Sequence, residues 1–221
     1  AAAQRDVASA LRYGKEALAG IGAHNPALRS VILLNLAQVQ WWLGDSSALD
    51  LLNEALELSQ QTGNHYGAVN ALGTQVQILL IMGRLREAKQ LCEQWLQKYR
   101  LPTGQLTPLA AIPLVNRGIV ALEEGHGEEA ESLLRQGIEL SQQSGSHVPL
   151  VSGNIALIMS LHLLGRYEEA LEALYPLRAI AQNFGANAMV ETLEAEIHLA
   201  KGDFHFVGQW VARSNLHSDE P

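Results

Sequence analysis

A single cysteine, Cys92, rules out an internal disulfide framework, and a lone thiol is what a reducing compartment such as the cytoplasm permits. Its neighbours Leu91 and Trp95 point to a buried thiol rather than a reactive one. No apolar run approaches the roughly eighteen residues that a membrane helix needs. No basic segment leads into an apolar one as a secretory signal would. The chain begins Ala1-Ala2-Ala3 without an initiator methionine, as expected for a fragment of a longer protein. Positive charge is in short supply: 15 Lys and Arg against 23 Asp and Glu give a formal net charge of −8. That balance opposes phosphate-backbone attraction, so no direct nucleic-acid contact is expected. Catalytic motifs are missing as well. There is no Gly-x-x-x-x-Gly-Lys-Ser/Thr phosphate loop, no His-Glu-x-x-His and no nucleophile elbow, so neither an enzyme nor a metal site is expected. His198 and His205 flank Gly202, but they lack the spacing or Cys partners of a metal motif. No stretch sustains the two-residue alternation of a strand.

What is present is periodic glycine. Gly22, Gly63, Gly104, Gly145 and Gly185 lie 41, 41, 41 and 40 residues apart, and Gly44, Gly83, Gly125, Gly165 and Gly202 interleave with them at 39, 42, 40 and 37. Glycine just past an apolar-periodic stretch is the usual helix C-terminal residue, because it adopts the left-handed conformation without strain. Each series therefore marks where one helix of a hairpin stops. Alanine recurs at Ala8, Ala48, Ala88, Ala130 and Ala170, where two helices are expected to cross closely. The segment Glu57-Leu-Ser-Gln-Gln-Thr-Gly63 returns as Glu139-Leu-Ser-Gln-Gln-Ser-Gly145, with His65 and His147 at the same offset.

Between the glycines, apolar residues keep helical spacing, as in Leu28, Ile32, Leu36, Val39 and Leu43. Eleven helices are expected, near 6–21, 26–43, 46–62, 65–82, 84–100, 107–124, 127–144, 148–164, 167–184, 187–201 and 203–213. Pro26, Pro108 and Pro149 sit near helix starts, where a missing amide hydrogen costs least; Pro113 and Pro176 predict local kinks. The 101–107 loop, with Pro102 and Gly104, is the candidate hinge. A lone amphipathic hairpin cannot bury its apolar face, so hairpins of this kind stack into a superhelix with a concave side. The fold class is all-α, a single domain over 1–221 with repeats near 1–22, 23–63, 64–104, 105–145, 146–185 and 186–214.

A turn glycine followed five residues later by alanine (Gly83 to Ala88, Gly125 to Ala130, Gly165 to Ala170), often with a small residue seven before it (Ala37, Gly118, Ala195), resembles the tetratricopeptide repeat. That resemblance implies a right-handed superhelix of about five and a half hairpins, with a period nearer forty than thirty-four. The stretch from Val115 to Trp210 is similar more specifically to the repeat domain of MalT-like, LuxR-type transcriptional regulators. Gly118-Ile-Val-Ala-Leu-Glu-Glu, Glu129-Ala130, Leu134 with Gly137-Ile-Glu-Leu140, Leu163-Leu-Gly165 with Glu169-Ala170, Glu194-Ala-Glu-Ile-His-Leu-Ala-Lys-Gly-Asp203 and Trp210 carry the likeness. It implies a segment that senses a signal, a small-molecule inducer or a protein partner. The same likeness implies a relay to a nucleotide-binding domain upstream and a helix-turn-helix domain downstream. No cofactor is expected on this segment; ATP would belong to the upstream domain.

In the resembled family the first helix of each hairpin lines the groove, which gives a register counted back from the turn glycine. Six, three and two residues before it stand Gln38, Trp41 and Trp42; Gln77, Leu80 and Ile81; Ile119, Leu122 and Glu123; Met159, His162 and Leu163; and Glu196, Leu199 and Ala200. Adjacent tryptophans lie about 100° apart on a helix. Either one of the pair is exposed, where it would stack on a sugar ring or an apolar peptide side chain, or both seal the seam between hairpins. His162 reads as a structural or solvent-facing histidine, and Glu123 as a helix-terminal carboxylate. The rival to a sensor domain is a free-standing adaptor that holds a peptide. Adaptors that clamp a carboxylate place Lys, Arg and Asn along the groove, and here Asn35, Asn70, Asn116 and Arg117 offer a partial version. Exposed end faces of the array give a route to a homodimer.

Overall fold

Helix, turn glycine, helix is the grammar that the chain follows throughout. The computed structural model describes residues 2–22, 24–45, 47–184 and 187–214, without the side chains of 2–6, 42 and 182–184. Its helices are α1 (Ala2–Ile21), α2 (Pro26–Trp42), α3 (Ala48–Gln61), α4 (His65–Ile81), α5 (Leu85–Lys98), α6 (Ala111–Glu123), α7 (Gly127–Ser144), α8 (His147–Leu163), α9 (Tyr167–Phe184), α10 (Asn187–Ala200) and α11 (Phe204–Arg213). A 3-10 turn, Pro108–Ala110, leads into α6. Among the described residues there is no strand, only an isolated bridge between Arg100 and Leu106.

Most helices stop where a glycine of the two series stands, and the hydrogen bonds give the cause; α5 is the correction, ending at Lys98 with Tyr99 as its cap and leaving Gly104 in the loop beyond it. Gly44, Gly63, Gly83, Gly125, Gly145, Gly165 and Gly202 all have φ between 57° and 88°. The residue after each returns its amide to a carbonyl five back: Asp45 to Gln40, Asn64 to Ser59, Arg84 to Leu79, His126 to Ala121, Ser146 to Ser141, Arg166 to Leu161 and Asp203 to His198. This is the Schellman closure, which satisfies carbonyls that the ending helix leaves free. Several starts are capped in turn. Asn25, Asn64 and Asp203 accept the amides of Leu28, Gly67 and Phe206. Gly185 lies outside the described residues.

Consecutive helices pack antiparallel as hairpins, and α2, α4, α6 and α8 also pack on one another in succession. The core runs along the array in three connected stretches, around Leu52 and Ile78, around Leu72, Cys92 and Trp95, and around Leu134, Leu161 and Leu174. Each fully buried leucine contributes roughly 1.5–3 kcal/mol. The result is an all-helical repeat superhelix. Ala48, Ala88, Ala130 and Ala170 are fully buried where helices cross, as expected. Ala8 is exposed, because among the described helices α1 packs on α2. Glycines make the closest approaches: a Cβ on Gly137 would come within 2.6 Å of Val115 Cγ2 and 3.0 Å of its backbone nitrogen.

One local expectation is corrected. Pro113 falls in the first turn of α6, where its missing amide hydrogen has no helical partner to lose, so no kink is required. Pro176 does sit inside α9, which continues past it. The 101–107 loop is held in a turn by its own hydrogen bonds. Leu101 donates to Gln105, Gly104 to Leu101 and Thr107 to Tyr99, while Arg100 Nη1 donates to the Gly104 carbonyl at 2.8 Å.

Candidate functional site

A cleft of about 120 Å3 is lined from four successive even-numbered helices, α2, α4, α6 and α8. Gln38 comes from α2, Asn70, Gly73, Thr74 and Gln77 from α4, Ile112 and Asn116 from α6, and Val148, Pro149 and Ser152 from α8. On α4 the polar residues fall at 70, 74 and 77, the spacing of a single helix face. Gly73 lets α4 and α6 approach: a Cβ there would stand 3.1 Å from Ile112 Cγ2 and 3.5 Å from Asn116 Nδ2. The cleft therefore has a polar floor between two small or apolar walls, and no charged side chain lines it.

The floor's hydrogen bonds follow one rule. Asn70 Nδ2 donates to the Tyr66 carbonyl at 2.8 Å, Thr74 Oγ1 to Asn70 at 3.2 Å, Asn116 Nδ2 to Ile112 at 2.9 Å and Ser152 Oγ to Val148 at 3.1 Å. Each is a bond back to the carbonyl four residues earlier, a habit of short polar side chains inside helices. Because the partner is a carbonyl, it is the amide nitrogen of each asparagine that must face the helix. Asn116 is only 5% exposed, and its Oδ1 has no protein partner. A second cleft, about 240 Å3, adjoins through the shared Ile112. It is mainly apolar, with Tyr66, Val69, Pro108, Leu109 and the 144–146 turn around it.

Of the residues that the sequence nominates, Gln38, Gln77 and Asn116 meet in the polar cleft. Glu123 and Glu196, two and six residues before their turn glycines, are exposed on α6 and α10 and lie outside this cleft. Trp41 is half-buried against the core between α2 and α4. His162 is half-buried with its ring edge-on to Tyr167, centroids 5.7 Å apart. Positions three before the turn glycine are half-buried on α2, α4, α6 and α8, whereas Leu199 on α10 is exposed. Positions two before it stay open on four described helices, at Ile81, Glu123, Leu163 and Ala200, with Ile81 72% exposed. The side chain of Trp42 lies outside the described residues.

Arg117 follows Asn116 in sequence but points away from the groove. Its side chain is 8% exposed and its Nη2 lies 2.7 Å from Glu129 Oε1 on α7, with Nε 3.6 Å from Glu93 Oε1 on α5. A step of 100° along α6 separates a groove residue from a seam residue. Cys92 is buried on α5, and burial pushes its thiol up to about 12. The residues that sequence reasoning did not place in the site are Thr74 and Ser152; the 70, 74, 77 stripe was the signal for the first. No described group of three or more His, Cys, Asp or Glu could hold a metal ion, and no described helix is long and apolar enough to cross a membrane.

Solved structures share the fold. BtubC (BKLC) from P. vanneervenii superposes with a TM-score of 0.68 at 19% identity, covering 100% of this chain and 95% of that one. The apo form of RapI gives 0.67 at 16% identity, covering 93% and 74%. Kinesin-light-chain tetratricopeptide-like repeats from Podospora anserina give 0.59 at 19% identity, covering 85% and 95%. No curated protein sequence matches significantly. The profile described as the MalT-like TPR region matches residues 1–221, the full length read here. With repeat glycines, buried alanines and stacked hairpins all in register, the chain belongs to the MalT-like tetratricopeptide region family.

Proposed function

We propose that this chain is the signal-receiving and protein-interaction domain of a transcriptional regulator, taking an inducer or partner segment in its concave groove. The neutral polar cleft shared by α2, α4, α6 and α8 is the observation that carries the reading. A site built from four successive repeats changes shape when any of them shifts against its neighbour. Occupancy there is therefore coupled to the pitch of the array, which is how a repeat domain relays a signal to nucleotide-binding and DNA-binding domains. The family's repeat type, typically non-catalytic, agrees with a binding role.

The alternative, a free-standing adaptor that clamps a partner's carboxylate terminus, needs cationic side chains on the groove floor. Neither of the two adjoining clefts has Lys or Arg in its lining, and Arg117 is engaged elsewhere. A thermal-shift screen of the chain against oligosaccharides, nucleotides, amino acids and short peptides tests the proposal. A Tm rise that Gln77→Ala abolishes supports the groove as the sensing site, since a ligand stabilises the state it binds. A rise that Gln38→Ala and Gln77→Ala both leave intact refutes it.

A further inference from the structure

We infer that the second cleft, at the start of α6, is a binding site of its own for a compact, neutral, apolar molecule that carries one carbonyl oxygen, such as an aryl ketone or amide. It goes beyond the polar cleft and is tested apart from it. The residue that assigns the site is Ser146, and the internal repeat shows why. Residues 57–63 and 139–145 are nearly the same segment, yet the two copies run on differently, as Asn64-His65-Tyr66-Gly67 and as Ser146-His147-Val148-Pro149. In the first copy Asn64 Oδ1 accepts the Gly67 amide at 2.9 Å and caps α4. In the second the same position is Pro149, which has no amide hydrogen to give. Ser146 makes no capping bond with its side chain, and its Oγ is buried without a partner. A buried hydroxyl is costly to leave unpaired.

Ser146 lines a cavity of about 240 Å3 whose walls are mainly apolar, with Tyr66 and Val69 from α4 and Leu109 and Ile112 from the start of α6. The other serine of the lining, Ser144, is already committed to the Ser141 carbonyl at 3.2 Å. One uncommitted hydroxyl among carbon is how a small-molecule site fixes an orientation. An apolar cavity of about 150 Å3 holds benzene, so this one has room for a ring and a short polar arm. Its walls are set in advance. The connection from α5 to α6 is the longest between described helices, and bonds from Thr107 to Tyr99 and from Leu101 to Gln105 brace the turn that carries Leu109. Three helices begin at the cleft: α4 beside Tyr66, α6 through its Pro108 turn, and α8 after Ser146. Their positive ends favour the negative end of a dipole, so the ligand's polar atom is an acceptor that takes the Ser146 O–H. Full negative charge is disfavoured, because no Lys or Arg lines the cavity and the chain carries a net −8. A sugar is disfavoured as well, since its hydroxyls would lie unpaired against Val69, Leu109 and Ile112.

The test is a titration of the 221-residue chain, followed by amide-resolved NMR, with three probes of equal size: acetophenone, isopropylbenzene and benzoate. Acetophenone is expected to shift the Ser146 and Leu109 amides saturably and to bind about tenfold more tightly than benzoate. Ser146→Ala should weaken acetophenone about fivefold to tenfold, the worth of one hydrogen bond, and leave isopropylbenzene unchanged. A merely structural serine would move both probes alike. Leu109→Trp fills the cavity and should abolish binding of both; if that variant does not fold, the Ser146→Ala comparison decides. Gln77→Ala, in the polar cleft, should change neither. Absence of a saturable shift with acetophenone, tighter binding of benzoate, or equal losses for the two neutral probes in Ser146→Ala overturns the proposal and leaves the polar cleft standing. Shifts that Gln77→Ala removes and Ser146→Ala does not would move the ligand into the polar cleft and overturn it too.

Discussion

Replacing Gly137 with alanine should destabilise the array, although the same change in most helix interiors stabilises. In an exposed helix, alanine is worth about 1 kcal/mol over glycine. At Gly137 the new methyl would lie 2.6 Å from Val115 Cγ2 and 3.0 Å from Val115 N, both on α6. Valine is stiff at χ1 inside a helix and a backbone nitrogen cannot rotate aside. α6 and α7 must therefore separate, and overpacking of this kind costs typically 1–3 kcal/mol. With backbone as the obstacle the cost belongs at the upper end, leaving a net loss of about 2 kcal/mol after the propensity gain. In a chain of this length that corresponds to a Tm fall of roughly 4–8 °C. Gly208→Ala in α11, where a Cβ meets nothing within 4 Å, supplies the control and should not lower Tm. Thermal melts of both variants, followed at 222 nm, decide the matter. A Tm for Gly137→Ala at or above wild type would sink the claim that this glycine exists for helix contact.

Three further outcomes are expected. Arg117→Met should be tolerated better than Arg117→Ala by about 1–3 kcal/mol in urea melts, because Glu93 and Glu129 remain half in water while the alanine leaves a cavity; equal losses would mean that the charge and not the packing matters. Cys92, its thiol pushed up to about 12 by burial, should ignore Ellman's reagent at pH 8 in the folded chain and react fully in urea. The Phe206 amide, and then His198, hold the Asp203 carboxyl below the ordinary carboxylate range. Its contribution to the α10–α11 end is therefore present above the unfolded value and lost as pH falls through the lowered folded one. Amide exchange in α11 should accelerate over that acid window, and Asp203→Asn should remove the pH dependence.

The architecture was legible because glycine does two separable things here. At positions such as Gly83 and Gly165 it permits a left-handed closure, which repeats with the hairpin and so appears as a period. At Gly73 and Gly137 it permits helix contact, which leaves no regular mark in sequence and emerged only from packing; Gly118, seven before a turn glycine, shares that role and was legible. The groove was half legible for a related reason. Counting back from the turn glycine brought Gln38 and Gln77 to the same face, since one helix has one phase. Asn116 and Arg117 show where that reasoning stops: neighbours in sequence, they lie on opposite sides of a seam whose position depends on how α5 and α7 flank α6. Trp41 went to the seam for the same reason. Which way the Asn70 and Asn116 amides turn could not be read from composition, because it is decided by which helix carbonyl each nitrogen finds.

The turn glycines stand in open space, with no atom within 4 Å of a Cβ at Gly44, Gly83, Gly125 or Gly165. Those edges are where residues can be gained or lost without disturbing the packed interior, and the uneven steps between them, from 37 to 42, look like the trace of such changes. A lineage can therefore lengthen or trim individual hairpins while the inner floor keeps its phase. For the protein engineer the same edges are the sites at which an epitope, a fluorophore or a further repeat can be inserted while the binding surface is left alone.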